Sequence, residues 1–206
     1  MARVNLITGS WDGKVGQLVG AKWKDKKTIR AYVIPKDTKN DKQLQNRRRL
    51  TEAAQYISLF HDKIKPLTPL NVRGMTLINS IIKASPFLFK DDTFIPEHLI
   101  FSKGRLPPIH SVQQDYAAGN MILYIEKGLE LNLSPKAKIV YAIYNTETEI
   151  AEVDAIPYTD DTIYFHENFS DVFIIGSIAI VHLWIIDYQG QTLIASNSKA
   201  FVISGP

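Results

Sequence analysis

Cysteine is absent from this chain. Its absence excludes disulfides and thiolate metal sites and fits a reducing compartment. A membrane-spanning run is missing as well. The longest apolar stretch, residues 172–186, is interrupted by Gly176, Ser177 and His182 and falls short of the roughly 18 to 20 residues that cross a bilayer. A long core strand accounts for it better. The first eight residues carry too short an apolar run for a secretory signal, so the expectation is a chain that is not exported by the general pathway and stays cytoplasmic or within an assembled particle.

Catalytic signatures are scarce too. Gly9-Ser10-Trp11-Asp12-Gly13-Lys14 follows a short apolar run in the manner of a phosphate loop. Its glycine spacing is one residue short, and Val15 stands where a magnesium-binding hydroxyl is needed. Ser196-Asn197-Ser198-Lys199 matches Ser-x-x-Lys but lies in a strand-like segment with no Lys-Thr-Gly partner. Gly176-Ser177 lacks the continuation of a nucleophile elbow and reads as a break or bulge in a strand. The five histidines, at positions 61, 98, 110, 166 and 182, have no spacing that brings two onto one helical face or into one loop, so no metal site is expected. His182 reads as a core histidine with a hydrogen-bonded partner, and His61 as solvated. Asp91-Asp92 and Asp160-Asp161 adjoin turn formers and read as loop solubility, because acid–base chemistry needs carboxyl groups in different environments across a cleft. The expectation is a non-enzymatic protein with no catalytic residues, no cofactor and no small-molecule substrate.

What the chain does hold is 206 residues, 45% of them apolar. That suffices for one large domain, or for a small domain with an appendage. The net charge of +3 hides an asymmetry. Residues 1–65 carry 15 Lys and Arg against 6 Asp and Glu, a balance of +9, which leaves −6 for residues 66–206. The molecule is electrically two-faced. A basic half of this kind serves as a solvated surface, as a nucleic-acid contact or as a match for the acidic face of a neighbouring copy, and charge alone does not separate the three.

Periodicity divides the chain further. Residues 17–23 and 28–34 alternate and pair as a hairpin over Lys24-Asp25-Lys26-Lys27. From Asp41 the period becomes helical, with Leu44, Leu50, Ala53, Ala54, Ile57, Phe60 and Ile64 recurring at threes and fours between an Asn40 or Asp41 cap and Pro66. A second helix fits residues 71–84. After Pro96 the period falls to two, with strand-like segments at 99–103, 121–126, 138–144, 150–156, 162–166, 177–187 and 192–203. The last two join through a hairpin turn at Asp187-Tyr188-Gln189-Gly190. The strand at 177–187 is apolar on both faces, so it is central or faces a partner. The fold expected is α+β: a domain of residues 1–95 with a β-hairpin and two helices, then an immunoglobulin- or fibronectin-like antiparallel β-sandwich over 96–206.

The richest segment is the basic arm. It runs through Gly13-Lys14-Val15-Gly16, Val19-Gly20, Trp23-Lys24, Ile29-Arg30 and Gln43-Leu44-Gln45-Asn46-Arg47, followed by Arg48 and Arg49. With Phe101-Ser102-Lys103-Gly104-Arg105-Leu106 downstream, it resembles a family of uncharacterised proteins, mostly from Bacteroidota, defined by a domain of unknown function. The resemblance covers nearly the whole chain. It departs at Asp25, where the family pattern has glycine, and in the spacer 35–40, which lacks a second proline. A similar glycine, cation and Gln-Arg block occurs in virion-associated phage proteins, and by that analogy implies an assembly role.

Two readings of the arm stand side by side. Its glycines supply tight turns and Trp23 caps a core. Alternatively Gly13 and Gly16 let the backbone lie flat on another subunit, Trp23 anchors it, and Lys14, Arg30, Gln43, Arg47 and Arg48 meet an acidic surface. The partner expected is a second copy or another structural subunit. Nucleic acid is the alternative, with Trp23, Tyr32 and Tyr56 beside the arginines, and a glycan-binding strip of Tyr141, Tyr144, Tyr158 and Tyr164 is a third.

Overall fold

A glycine shapes the turn between the second and third strands of the N-terminal sheet. Ser10–Val15 (β2) and Leu18–Trp23 (β3) pair with Val15 opposite Leu18, which leaves Gly16-Gln17 as a two-residue turn. Gly16 there has φ +58°, a conformation open to glycine at little strain. Arg3–Asn5 (β1) pairs with β2, and Lys26–Ala31 (β4) with β3, so the expected hairpin is part of a four-stranded antiparallel meander in the order β1-β2-β3-β4. The computed structural model describes residues 3–5, 10–23, 26–34, 40–70, 74–117, 120–126, 133–160, 162–165 and 177–204. Lys24 and Asp25, in the expected hairpin turn, lie outside that set.

The helix at Asp41–Ile64 (α1) begins where Asn40 can cap it: the Asn40 side-chain oxygen accepts from the Lys42 amide at 3.3 Å. Its 24 residues extend about 36 Å. Only the second half is packed, through Ala53, Tyr56, Ile57, Phe60 and Ile64. Leu50, expected on the apolar stripe, is half exposed, and Tyr56 takes a place on the buried face. The second helix, Leu77–Ala84 (α2), starts later than expected because Thr76 caps it, its hydroxyl accepting from the Asn79 amide at 3.3 Å. A small hairpin follows, Phe89–Lys90 (β5) with Thr93–Phe94 (β6), turning on Asp91 and Asp92, both at positive φ.

The remaining strands are Ser111–Ala117 (β7), Asn120–Glu126 (β8), Lys138–Asn145 (β9), Ala151–Pro157 (β10), Thr162–Phe165 (β11), Ile178–Gln189 (β12), Thr192–Ala195 (β13) and Lys199–Ser204 (β14). They form a five-stranded sheet, β10-β9-β12-β13 with β14 also on β12, and a three-stranded sheet, β11-β8-β7. Every named pair is antiparallel. The β12–β13 turn falls at Gly190-Gln191, two residues beyond the expected centre at Tyr188-Gln189, since Gln189 pairs with Thr192. Asp187 is instead fixed by the amide and hydroxyl of Ser134 and the amide of Tyr188.

Apolar side chains on both faces of β12 now have their reason. On one face Trp184 and Ile186, with Val140, Ala142 and Val153, pack against Tyr56, Ile57, Phe60 and Ile81 of the helices. On the other, Val181, Leu183 and Ile185 pack with Ile139, Tyr141 and Ile143 against Leu123 and Ile125 of β8. The central sheet is therefore covered on both sides. Each fully buried large side chain contributes about 1.5–3 kcal/mol by leaving water, and the Trp184 indole donates to the Leu67 carbonyl at 2.9 Å, which ties the chain after α1 to the sheet.

Contacts divide the chain into Met1–Leu44 and Gln45–Pro206. The sequence reading put the boundary at 95/96. It falls earlier because both helices bury their apolar faces on the central sheet.

The segment 99–103, expected as a strand, has another role. It lies where β13 and β14 part, and is held by serines: the Ser198 hydroxyl accepts from the amides of Phe101 and Ser102 at 2.8 and 3.2 Å, and Ser102 donates to the Ser196 carbonyl at 2.7 Å. Leu106 completes the contact as a parallel bridge to Ser196. The two motifs noted separately in the sequence, Phe101 to Leu106 and Ser196 to Lys199, are one hydrogen-bonded joint.

Candidate functional site

Strand pairing sorts the arm residues by face. Across the sheet run the rows Gly13–Gly20–Ile29, Lys14–Val19–Arg30 and Val15–Leu18–Ala31. Alternation then puts Lys14 and Arg30 on one face, and Val15, Leu18 and Ile29 on the other, together with Gly13 and Gly20. Lys14 and Arg30 are exposed, and the Lys14 ammonium stands 3.6 Å from the centre of the Tyr32 ring. Gly13, at φ 103°, is glycine for conformational reasons as well. Gly16 marks the tip. Trp23 ends β3 opposite Lys26, and its side chain lies outside the described residues.

The other face is the unexpected one. Val15, Leu18 and Ile29 are 50%, 44% and 58% exposed, and Gly20 is the one buried residue among those described in this unit. The sequence hid this face because Gly13 and Gly20 interrupt its alternation.

Gln43 and Arg47 lie one turn apart on α1, both exposed, and Arg48 is exposed on the adjoining side. Arg49 departs from its neighbours. It pairs with Asp92, which also accepts from the Gln45 side chain, and it sits over the Phe89 ring. Asp92 is thus not a solubility residue as the sequence suggested: it pins α1 to the β5–β6 hairpin.

Other candidates dissolve into structure. Ser10 to Lys14 is a strand, not a phosphate loop. Tyr56 is buried among Phe60, Phe94 and Tyr144 and cannot stack on a base, and burial pushes its hydroxyl pKa upward. Tyr141 is buried and Tyr144 and Tyr158 half-buried, so these three make no exposed strip. The groove of about 430 Å³ beside Glu97, His98, Ser198 and Lys199 has a catalytic-looking lining. Three of its polar groups are engaged: Ser198 as above, the His98 ring with the Phe87 carbonyl at 2.6 Å, and Lys199 with the His110 carbonyl at 2.6 Å. Among the described residues, no three His, Asp or Glu are grouped to hold a metal, and no helix is long and apolar enough to cross a membrane.

His182 is fully buried, edge-on to Phe101 with ring centres 4.6 Å apart. The expected hydrogen-bond partner is missing among the described residues: both ring nitrogens are unpaired. Burial lowers its pKa to about 3. Ala142 and Ala200, opposite it on the flanking strands, leave it room.

Charge in the C-terminal half is concentrated as well. Between Lys138 and Lys199 there is no lysine or arginine, and this stretch includes Glu147, Glu149, Glu152, Asp154 and Asp160 on or beside β10. No protein-family model, curated protein or solved structure matches the chain.

Proposed function

We propose that this protein is a non-enzymatic structural or assembly component whose basic N-terminal sheet docks on partner subunits. One observation carries the reading: a four-stranded sheet in a single layer, with Val15, Leu18 and Ile29 bare on one face. Sheets become stable by burying a face on a second layer, and this unit contains none among its described residues. Lys14 and Arg30 place two cations on the opposite face of the same sheet, where an acidic partner would meet them.

The C-terminal unit is read as a fibronectin type III-like sandwich. Its strand order supports this: β7-β8-β11 against β10-β9-β12-β14 corresponds to A-B-E against C′-C-F-G, and the break between β13 and β14 falls within the last strand. Kinship with the Bacteroidota family, and a phage-derived origin, belong to the same proposal.

Light scattering on the full chain, on a chain lacking residues 1–39, and on the triple variant Val15→Ser/Leu18→Ser/Ile29→Ser is the test. Self-association, or binding of a subunit, that is lost in both altered chains supports the reading. Equal masses and equal partner binding in all three overturn it. A second reading, nucleic-acid binding, rests on exposed Lys27, Arg30, Arg47 and Arg48 in the basic half. It requires affinity that falls steeply with salt, and failure to shift DNA or RNA at low salt removes it.

A further inference from the structure

Both sheets end in an open strand. β4 closes the order of the arm sheet and β10 that of the five-stranded sheet, and neither has an outer neighbour among the described residues. Ladder phase shows which groups face outward. The Asn145 amide donates to Ile150 and the Tyr158 amide to Ala137, so the hydrogen-bonded pairs fall at Glu152, Asp154 and Ile156. The amides of Ala151, Val153 and Ala155 therefore point to the open edge. That of Ala155 is met only locally, by the Asp154 carboxylate at 2.7 Å. On β4 the Tyr32 amide donates to Gln17, which by the same counting turns the amides of Lys27, Ile29 and Ala31 outward.

We infer that β4 of one copy adds antiparallel to the open edge of β10 of a second copy, joining the two sheets. This inference rests on the docking reading above and names its partner and surface. Parity gives it content. Outward residues must pair with outward residues, so Ile29 and Ala31 meet Ala151, Val153 or Ala155, while Thr28 and Arg30 meet Glu152 and Asp154. In the register that overlaps β4 fully, Ile29 stands opposite Val153 and Arg30 opposite Glu152, with Asp154 a diagonal step away. On one face Ile29 and Ala31 meet Val153 and Ala151, with Lys27 opposite Ala155, and on the other Arg30 meets Glu152, with Lys26 opposite Ile156. Glu152 is poorly neutralised in its own chain: burial raises its pKa, Lys63 partly offsets this and Asp154 adds to it. Charged residues on an edge strand commonly block pairing. Here the opposed signs of β4 and β10 block like with like, β10 with β10 or β4 with β4, and leave the unlike pair open.

The experiment is light scattering of full-length variants at low salt, with circular dichroism as the check on folding. Ala155→Pro removes one outward amide while sparing the β9 ladder, and Arg30→Glu reverses one exposed charge. Both are expected to turn an arm-dependent oligomer into monomer, at least a tenfold weakening, and Arg30→Glu combined with Glu152→Arg to restore it. An arm-dependent oligomer that survives Ala155→Pro and Arg30→Glu overturns this edge pairing but not arm docking. A mass independent of residues 1–39 overturns self-docking at its root. If Ala155→Pro proves misfolded, Arg30→Glu and its rescue decide alone.

Discussion

His182 is the residue whose chemistry disagrees most with its surroundings. A neutral imidazole with two unpaired nitrogens occupies the core. Its pKa falls from an ordinary 6.5 to about 3 through burial, so the unfolded chain takes up a proton below pH 6.5 and the folded one does not. Stability is then fully present above pH 6.5 and declines as pH drops toward 3, by roughly 1 kcal/mol per unit. His182→Leu is expected to flatten that slope in urea denaturation at pH 4–6, with little change at pH 7.5. Asp187 acts lower: burial tends to raise its pKa, but the Ser134 and Tyr188 hydrogen bonds bring it below 3.8, so the stability it adds is lost only as pH falls through that lower range. Gly104 is constrained by space. A methyl group there would stand 1.8 Å from the Ala195 carbonyl oxygen. Gly104→Ala is expected to lower stability by about 1–3 kcal/mol through separation of that segment from β13, measurable as a lower urea midpoint.

At the level of elements, α1 is a helix of two halves. No residue from Asp41 to Glu52 is buried, whereas five from Ala53 onward are. A helical half without packing is marginal. Amide exchange is therefore expected to be fast before Arg49 and slower by orders of magnitude from Ala53 to Ile64. The β9–β10 turn holds Glu149 at φ 57°, and Glu149→Gly is expected to raise the urea midpoint, a gain of up to about 1 kcal/mol. Much at this scale was legible from sequence. The helical stripe, the Asn40 cap and most strands of the C-terminal half follow from spacing alone. Missed were β2, whose alternation Gly13 interrupts, β7, whose Gln113, Gln114 and Asp115 leave no apolar face to count, and the β5–β6 hairpin, which is too short to show a period. The partnership of Arg49 with Asp92 spans a sequence separation that local pattern does not register.

At the scale of the whole molecule the asymmetry of charge was visible in the sequence, but the faces and edges that carry it were not. The sequence named Lys14, Arg30, Arg47 and Arg48 as a group; pairing placed Lys14 and Arg30 on one face and put exposed apolar residues, which no count had found, on the other. The acidic counterpart proposed for it is an edge, and edges are set by topology rather than composition. Association through it is expected to weaken about tenfold or more between 50 and 500 mM salt, as screening shortens to a few ångströms, with mass against ionic strength as the readout.

The missing cations also decide how the protein meets trypsin. With no cleavage site after Lys138 until Lys199, β9 through β13 leave the enzyme as a single peptide, while the lysines of the arm offer many cuts. A tryptic digest would map the appendage in detail and remain nearly silent on the central sheet of the C-terminal unit.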